Sequence, residues 1–191
     1  MDWRERLREL TSHEKPDDPE HKFYAVFAVT GDEDNVKKRI EYTFKGANVR
    51  AIVPKRQLRE RKNGTWSFRI RNIFPGYVLL QGEIGLIECH VLTRIPGIIK
   101  VLRDESGPCI IEPDEIKIIR RLICNGEIIG SSTAFQNGDE ITITDGPLTG
   151  LEGLISAIDT RKGRAKVCLC FLGEERSVEL SIHVIKNVQV L

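Results

Sequence analysis

The chain has 191 residues, 40% of them hydrophobic and 30% charged, with a net charge of +1, which is enough apolar material for one domain or two small ones with real cores. No apolar run approaches the roughly 20 residues that cross a bilayer, and the opening Met1-Asp2-Trp3-Arg4-Glu5-Arg6 alternates charges where a signal peptide needs an apolar stretch, so a soluble cytoplasmic protein with no membrane partner is expected. The cysteines Cys89, Cys109, Cys124, Cys168 and Cys170 are odd in number and irregularly spaced, which argues against a disulfide framework, and no ligand-type neighbours accompany Cys168-x-Cys170, so neither a metal nor a cofactor is expected.

In chain order, Trp3, Leu7 and Leu10 fall at helical spacing and predict a short helix over 2–11, followed by a Pro-containing leader to residue 21. Phe23–Val29 is aromatic and β-branched and reads as a strand, ended by Gly31-Asp32 with Asp32 as a candidate N-cap. Val36, Ile40 and Phe44 predict an amphipathic helix closed by Gly46. Val49–Val53 is a second strand. Lys55–Gly64 is a strongly basic loop or hairpin with an Asn63-Gly64 turn, and Trp66–Ile70 alternates as a strand. Tyr77–Leu80 and Ile98–Leu102 read as strands and Ile84–Leu92 as a helix. Pro113-Asp114-Glu115 opens a further helix to about Cys124, whose buried stripe is Ile116, Ile119, Leu122 and Ile123. Strands interleaved with helices give an α+β sandwich for this half.

Residues 126–135, with Gly130-Ser131-Ser132-Thr133, form the predicted linker. Beyond them the hydrophobic period becomes two, in Ile141/Ile143, Ala165/Val167/Leu169 and Val178/Leu180/Ile182, with turns at Asp145-Gly146-Pro147, Gly150 and Gly173. That pattern describes a small five-stranded barrel. Gly146 and Gly150 are expected at positive φ, and Gly153 where two strands pass closely. The expected organisation is a leader over 1–21, a first domain over 22–125, the linker, and a barrel over 136–191. Residues 22–125 hold 19 basic against 12 acidic side chains, and 136–191 hold 6 against 8, so the larger domain is the one suited to a polyanion or an acidic protein surface.

Two motifs carry a family resemblance. Asp145-Gly146-Pro147-Leu148-Thr149-Gly150-Leu151-Glu152-Gly153, continued through Arg164–Val167, Phe171-Leu172-Gly173 and Val178-Glu179-Leu180, resembles a KOW motif. Phe74-Pro75-Gly76-Tyr77-Val78 resembles the signature strand of the N-terminal (NGN) domain of NusG-type transcription elongation factors, with Tyr24 to Gly31 and Ile95-Pro96-Gly97-Ile98 resembling its flanking segments. The resemblance spans about residues 22–190. It implies an NGN α/β sandwich (a mixed sheet with about three helices) followed by a small five-stranded KOW (SH3-like) β-barrel, and a monomer that performs no chemistry of its own. It also implies that an apolar depression, matched here by Phe23, Phe27, Phe74, Pro75 and Tyr77, docks on the clamp helices of the largest RNA polymerase subunit. The KOW domain would then recruit a ribosomal protein, the termination factor Rho, or RNA.

Since strand neighbours point to opposite faces, Phe74 and Tyr77 cannot both be core unless Pro75-Gly76 kinks the strand, and one of them is expected at the surface. Lys55, Arg56, Arg59, Arg61 and Lys62 are either a solvated hairpin or a phosphate-directed contact to DNA, as the family's corresponding region makes. Arg161, Lys162, Arg164 and Lys166 offer a cationic barrel surface for RNA, with Arg164 and Lys166 on one strand face. Housekeeping NusG proteins carry an aromatic just before the position of Gly173. Here Leu172 stands there and Phe171 is shifted by one, expected on the other face. With a short linker and a trimmed basic loop, the chain looks more like a specialised paralogue, such as the LoaP antiterminators that bind an RNA hairpin in an operon leader. The RfaH paralogue, whose barrel can refold, is less similar, and a constitutive barrel is expected. The alternatives are a housekeeping factor coupling polymerase to ribosome or Rho, and a KOW-type ribosome-associated module. His13, His21, His90 and His183 lack any triad context, and no Gly-rich phosphate loop is present, so an enzyme is not expected.

Overall fold

A computed structural model describes residues 22–103, 107–137 and 140–186. The helix expected over 2–11 and the leader lie outside the described residues. Within them the chain divides into two compact units, one built from residues 22–53 and 74–116, the other from 54–73 and 117–186.

The first unit holds strands β1 (Phe23–Ala28), β2 (Val49–Ile52), β5 (Tyr77–Gly82) and β6 (Ile98–Val101), with helices α1 (Glu33–Thr43) and α2 (Leu86–Leu92). The strands form one antiparallel sheet in the order β2-β5-β1-β6. Tyr24, Val26 and Ala28 alternate along β1 into a core with Val36 and Ile40 of α1, Cys89 and Leu92 of α2, and Val78 and Leu80 of β5. The intervening Phe23, Ala25 and Leu79 are also buried. Burial on both faces is why β1 and β5 read as continuous apolar runs and not as alternation. Burial pushes the Cys89 thiol above its ordinary range.

The second unit contains the hairpin β3 (Lys55–Lys62) and β4 (Thr65–Asn72), the short β7 (Ile128–Ile129), which pairs parallel with β3, and a five-stranded sheet. That sheet runs β10 (Ile155–Asp159), β11 (Arg164–Phe171), β12 (Glu174–Lys186), β8 (Ser132–Asn137), β9 (Glu140–Asp145). The long β12 pairs with β11 up to Ser181 and then, from Ile182, parallel with β8. One strand serving two partners curls the sheet into a half-barrel. Ala134, Ile143, Leu148, Ala165, Val167, Leu169, Phe171 and Leu180 are buried in it. Helix α3 (Pro113–Leu122) carries Asp114 and Glu115 in its first turn and Arg120 and Arg121 in its last, each sign suited to its end of the helix dipole.

The α+β class, with three helices among the described residues and a five-stranded C-terminal sheet, is as expected. Two local expectations are corrected. Residues 126–135, read as a linker, contain β7 and most of β8, because Ser132–Phe135 pair with Ile182–Ile185, fifty residues on. Gly153 is exposed in a short 3-10 turn over Glu152–Leu154, and the close approach falls at Gly146 instead. There φ is +98°, and a Cβ would lie 2.6 Å from the Ser132 Cα. The same turn is fixed by the buried Ser132 Oγ, which accepts the Leu148 N–H at 3.0 Å.

Candidate functional site

In the four-stranded unit, the Phe74–Tyr77 segment is a turn before it becomes a strand. The Tyr77 N–H donates to the Phe74 carbonyl at 3.1 Å, and the Ala28 N–H donates to the Gly76 carbonyl at 2.7 Å. Gly76 has φ +83°, and a Cβ on it would meet the Phe27 ring at 3.0 Å, so the turn admits only glycine without strain. Beyond that turn Tyr77 is the direct cross-strand partner of Phe27, and their ring centroids lie 5.3 Å apart at a 55° tilt, a favourable aromatic arrangement.

The turn has an anchor that sequence reading missed. Glu33, only 2% exposed, opens α1 and accepts the Gly76 N–H on Oε1 at 2.7 Å and the Gly31 N–H on Oε2 at 2.8 Å. One carboxylate thus joins the end of β1 to the start of β5. Asp32, the expected N-cap, makes no side-chain cap bond. It accepts from Asn35 at 2.6 Å and from Arg39 at 2.7 Å instead, and these bonds, Asn35's first, hold its carboxyl below the usual 3.8.

The five residues expected to form the apolar depression therefore divide. Phe23 and Phe74 are core residues at 4% and 2% exposure and cannot offer a docking face. Phe27 and Tyr77 are half-buried, and Pro75 is exposed. The kink at Pro75-Gly76 lets Phe74 turn inward while Tyr77 stays at the surface, so the strict alternation of a strand does not apply across it.

The basic hairpin divides as well. Asn63 and Gly64 both take positive φ, the two-residue turn that matches strand twist. The register Arg59↔Phe68, Arg61↔Trp66 and Gln57↔Ile70 puts Gln57, Arg59 and Arg61 on one face with Trp66, Phe68 and Ile70. Arg56, Leu58 and Glu60 occupy the other, with Arg71 and Arg69. Leu58 is buried. The Arg56 guanidinium donates to the Glu179 carbonyl of β12 at 2.7 Å, and burial pushes its pKa down, with Glu179 opposing. Arg71 grips Glu60 through two bonds of 3.1 and 3.2 Å. Lys55 is half-buried. Lys62 belongs to β3, but its side chain lies outside the described set.

On the half-barrel, Arg161, Lys162 and Lys166 are exposed. Lys162 closes its turn on Asp159, with its N–H 2.9 Å from Oδ1, and that bond is the first of several interactions holding the Asp159 carboxyl low. Arg164 is half-buried and donates to Glu179 Oε2 at 2.7 Å, so it is already committed within the fold. Lys166 is the cross-strand partner of the same Glu179. Phe171 is fully buried, on the same side as Val167 and Leu169. Leu172 and Gly173 form a two-residue turn with both φ positive, +57° and +77°. The position before Gly173 thus presents a half-buried leucine, and the neighbouring aromatic is withdrawn into the core.

All five cysteines are free, and among the described residues no cluster of three His, Cys, Asp or Glu side chains could hold a metal. No helix among them is long and apolar enough to cross a membrane.

Residues 21–120 match a family model described as "Transcription termination factor nusG". The transcription termination/antitermination protein NusG of Pseudomonas aeruginosa is 27% identical over 175 residues, covering 87% of this chain and 98% of the relative. The protein of the same name from Pasteurella multocida is 30% identical over 139 residues, 71% of this chain and 75% of the relative. Among solved structures, NusG of Thermotoga maritima superimposes with a TM-score of 0.55 at 22% identity over 84% of this chain and 93% of its own, a likeness of fold.

Proposed function

The chain belongs to the NusG family, and from that premise we propose that it is an antitermination factor of a specialised, LoaP-like kind, holding RNA polymerase through the four-stranded unit and an RNA hairpin through the half-barrel. At the coarser level it is a NusG-type termination/antitermination factor, and the members of that family are transcription factors, not enzymes.

The observation that carries the polymerase contact is the Pro75-Gly76-Tyr77 turn. A half-buried aromatic pair beside an exposed proline, fixed in place by a buried carboxylate, is a preorganised apolar edge. The docking set is accordingly Phe27, Pro75 and Tyr77, with Phe74 and Phe23 beneath it as support. Polymerase retention on the immobilised chain should fall with Tyr77→Ala and fall further with Pro75→Ala added. Unchanged retention in the double variant would refute the contact.

RNA is favoured over a ribosomal protein or Rho because the family's partner-facing aromatic is missing. Phe171 is interior and Leu172 sits in a strained turn, while Arg161 and Lys166 stand exposed. Titration with a structured leader RNA tests this. Nanomolar, sequence-dependent binding is expected, with Lys166→Glu lowering the salt slope by about 1. Weak binding that vanishes with salt would instead support the housekeeping role.

A further inference from the structure

The outer face of the β3–β4 hairpin carries Arg59 and Arg61, expected either to be solvated or to meet DNA phosphates, together with a row of apolar side chains that neither expectation uses. Trp66, Phe68 and Ile70 are 43%, 65% and 56% exposed, three large apolar side chains in a row on a strand, which soluble surfaces rarely leave to water without a use. They alternate across the register with Gln57, Arg59 and Arg61, and no carboxylate shares that face. The hairpin's one glutamate, Glu60, is turned to the inner face and held by Arg71. The Arg59 guanidinium lies 4.5 Å from the centre of the Trp66 ring, so cation and aromatic are interleaved. Ring-bearing positions two apart on a strand are about 7 Å from one another, roughly two rises of a stacked strand at about 3.4 Å each. Aromatic rings at that spacing flanked by guanidinium groups suit unpaired bases, which stack on the rings while their phosphates meet the cations. A protein partner would instead need carboxylates placed to meet the same arginines.

We infer that this face is a stacking platform for unpaired RNA nucleotides flanking the structured element held by the half-barrel. The choice of RNA rests on the function proposed above. The geometry beneath it is independent of that choice. Hairpin and half-barrel belong to one compact unit, Arg56 joins them at Glu179, and Glu179 faces Lys166 across β11–β12. The stem would meet exposed Lys166 and Arg161, and the single-stranded flank the platform, all borne by that one unit.

The test uses the full chain with Trp3→Phe, which leaves Trp66 as the sole tryptophan. The probes are a twelve-nucleotide oligouridylate, the matching oligodeoxythymidylate, and a leader hairpin with and without a single-stranded flank. Oligouridylate should quench Trp66 fluorescence, and the flanked hairpin should bind more tightly than the blunt one. Phe68→Ala should remove about tenfold or more of the affinity for oligouridylate and for the flanked hairpin, whereas Phe68→Tyr should restore it. No quenching, together with equal affinity for flanked and blunt hairpins, would overturn the platform. So would variants that lose polymerase retention with RNA binding intact, since the face would then serve a protein. Equal or tighter binding of the deoxy-oligomer would overturn the assignment to RNA. Quenching by oligouridylate with no binding of any hairpin would uphold the platform and sink the half-barrel reading instead.

Discussion

Replacement of Glu33 by alanine is the sharpest test of how the docking edge is built. The side chain is almost fully buried and joins two backbone N–H groups, those of Gly76 and Gly31, at 2.7 and 2.8 Å. Hydrogen bonds to a charged group each contribute about 1.5–3 kcal/mol, and a buried donor left unpaired costs about 1–3 kcal/mol. The Gly31 N–H lies at an exposed turn where water can replace the carboxylate; the Gly76 N–H is buried and cannot be so rescued. A loss of roughly 3 kcal/mol follows, which in a domain near 100 residues lowers Tm by about 12 °C or more. Glu33→Gln should fall between, because its amide oxygen can accept one N–H while its NH2 group confronts the other. Urea unfolding gives the free energies, and polymerase retention at low temperature, where the variant is still folded, reports the Phe27–Tyr77 edge. A Glu33→Ala protein within about 0.5 kcal/mol of the parent would refute the reasoning, since that is the range of a surface substitution.

Three further outcomes follow from the same geometry. Phe74→Ala should destabilise by about 3–5 kcal/mol as a core truncation, while Tyr77→Ala should cost far less stability yet lose polymerase retention; similar unfolding curves for the two would contradict their placement. Leu172→Gly should stabilise the protein by up to about 1 kcal/mol in thermal unfolding, since φ +57° strains leucine and not glycine; a destabilised variant would show that leucine packing outweighs the strain. The depressed carboxyl of Asp32 contributes stability that is complete above its unfolded value of about 3.8 and is lost as pH falls through the lower folded value. Asp32→Asn should therefore narrow its stability gap to the parent between pH 7 and pH 3, measured by urea unfolding, and a gap that widens on acidification would reverse the assignment.

What the sequence made legible was mostly local. The Asn63-Gly64 turn and the apolar runs of β1 and β5 are written in neighbouring residues and appear where periodicity puts them, whereas the stripe of α3 keeps Ile116, Ile119 and Leu122, adds Ile118 and leaves Ile123 half-buried beyond the helix end. Contacts between distant residues were not legible. Ser132–Asn137 has little apolar pattern, and its strand is held between neighbouring β9 on one edge and, in parallel on the other, a segment fifty residues later. Glu33 reads as a solvated first-turn acid, and only the fold brings Gly76 to it. The expected docking set divides by burial for a similar reason: alternation predicts opposite faces for Phe74 and Tyr77, but a glycine turn between them, not the strand pleat, decides which goes inside. The burial of Phe171 and the exposure of Trp66, Phe68 and Ile70 depend on which face of each pair the rest of the unit covers, and residue type alone does not record that.

The path of the chain bears on how the two proposed contacts relate. The hairpin is inserted between β2 and β5, yet it belongs with the half-barrel and not with the sheet that contains those strands. Its base is fastened where the Ile73 N–H donates to the Pro54 carbonyl at 2.9 Å, and the next residue, Phe74, begins the docking turn. Along the chain only Arg71, Asn72, Ile73 and Phe74 separate Ile70 of the proposed RNA platform from Pro75 of the proposed polymerase edge. The turn that seats Tyr77 is anchored by Glu33 within its own unit, and the hairpin that precedes it is tied by Arg56 to β12 within the other, so each proposed contact is ordered by bonds of the unit that carries it.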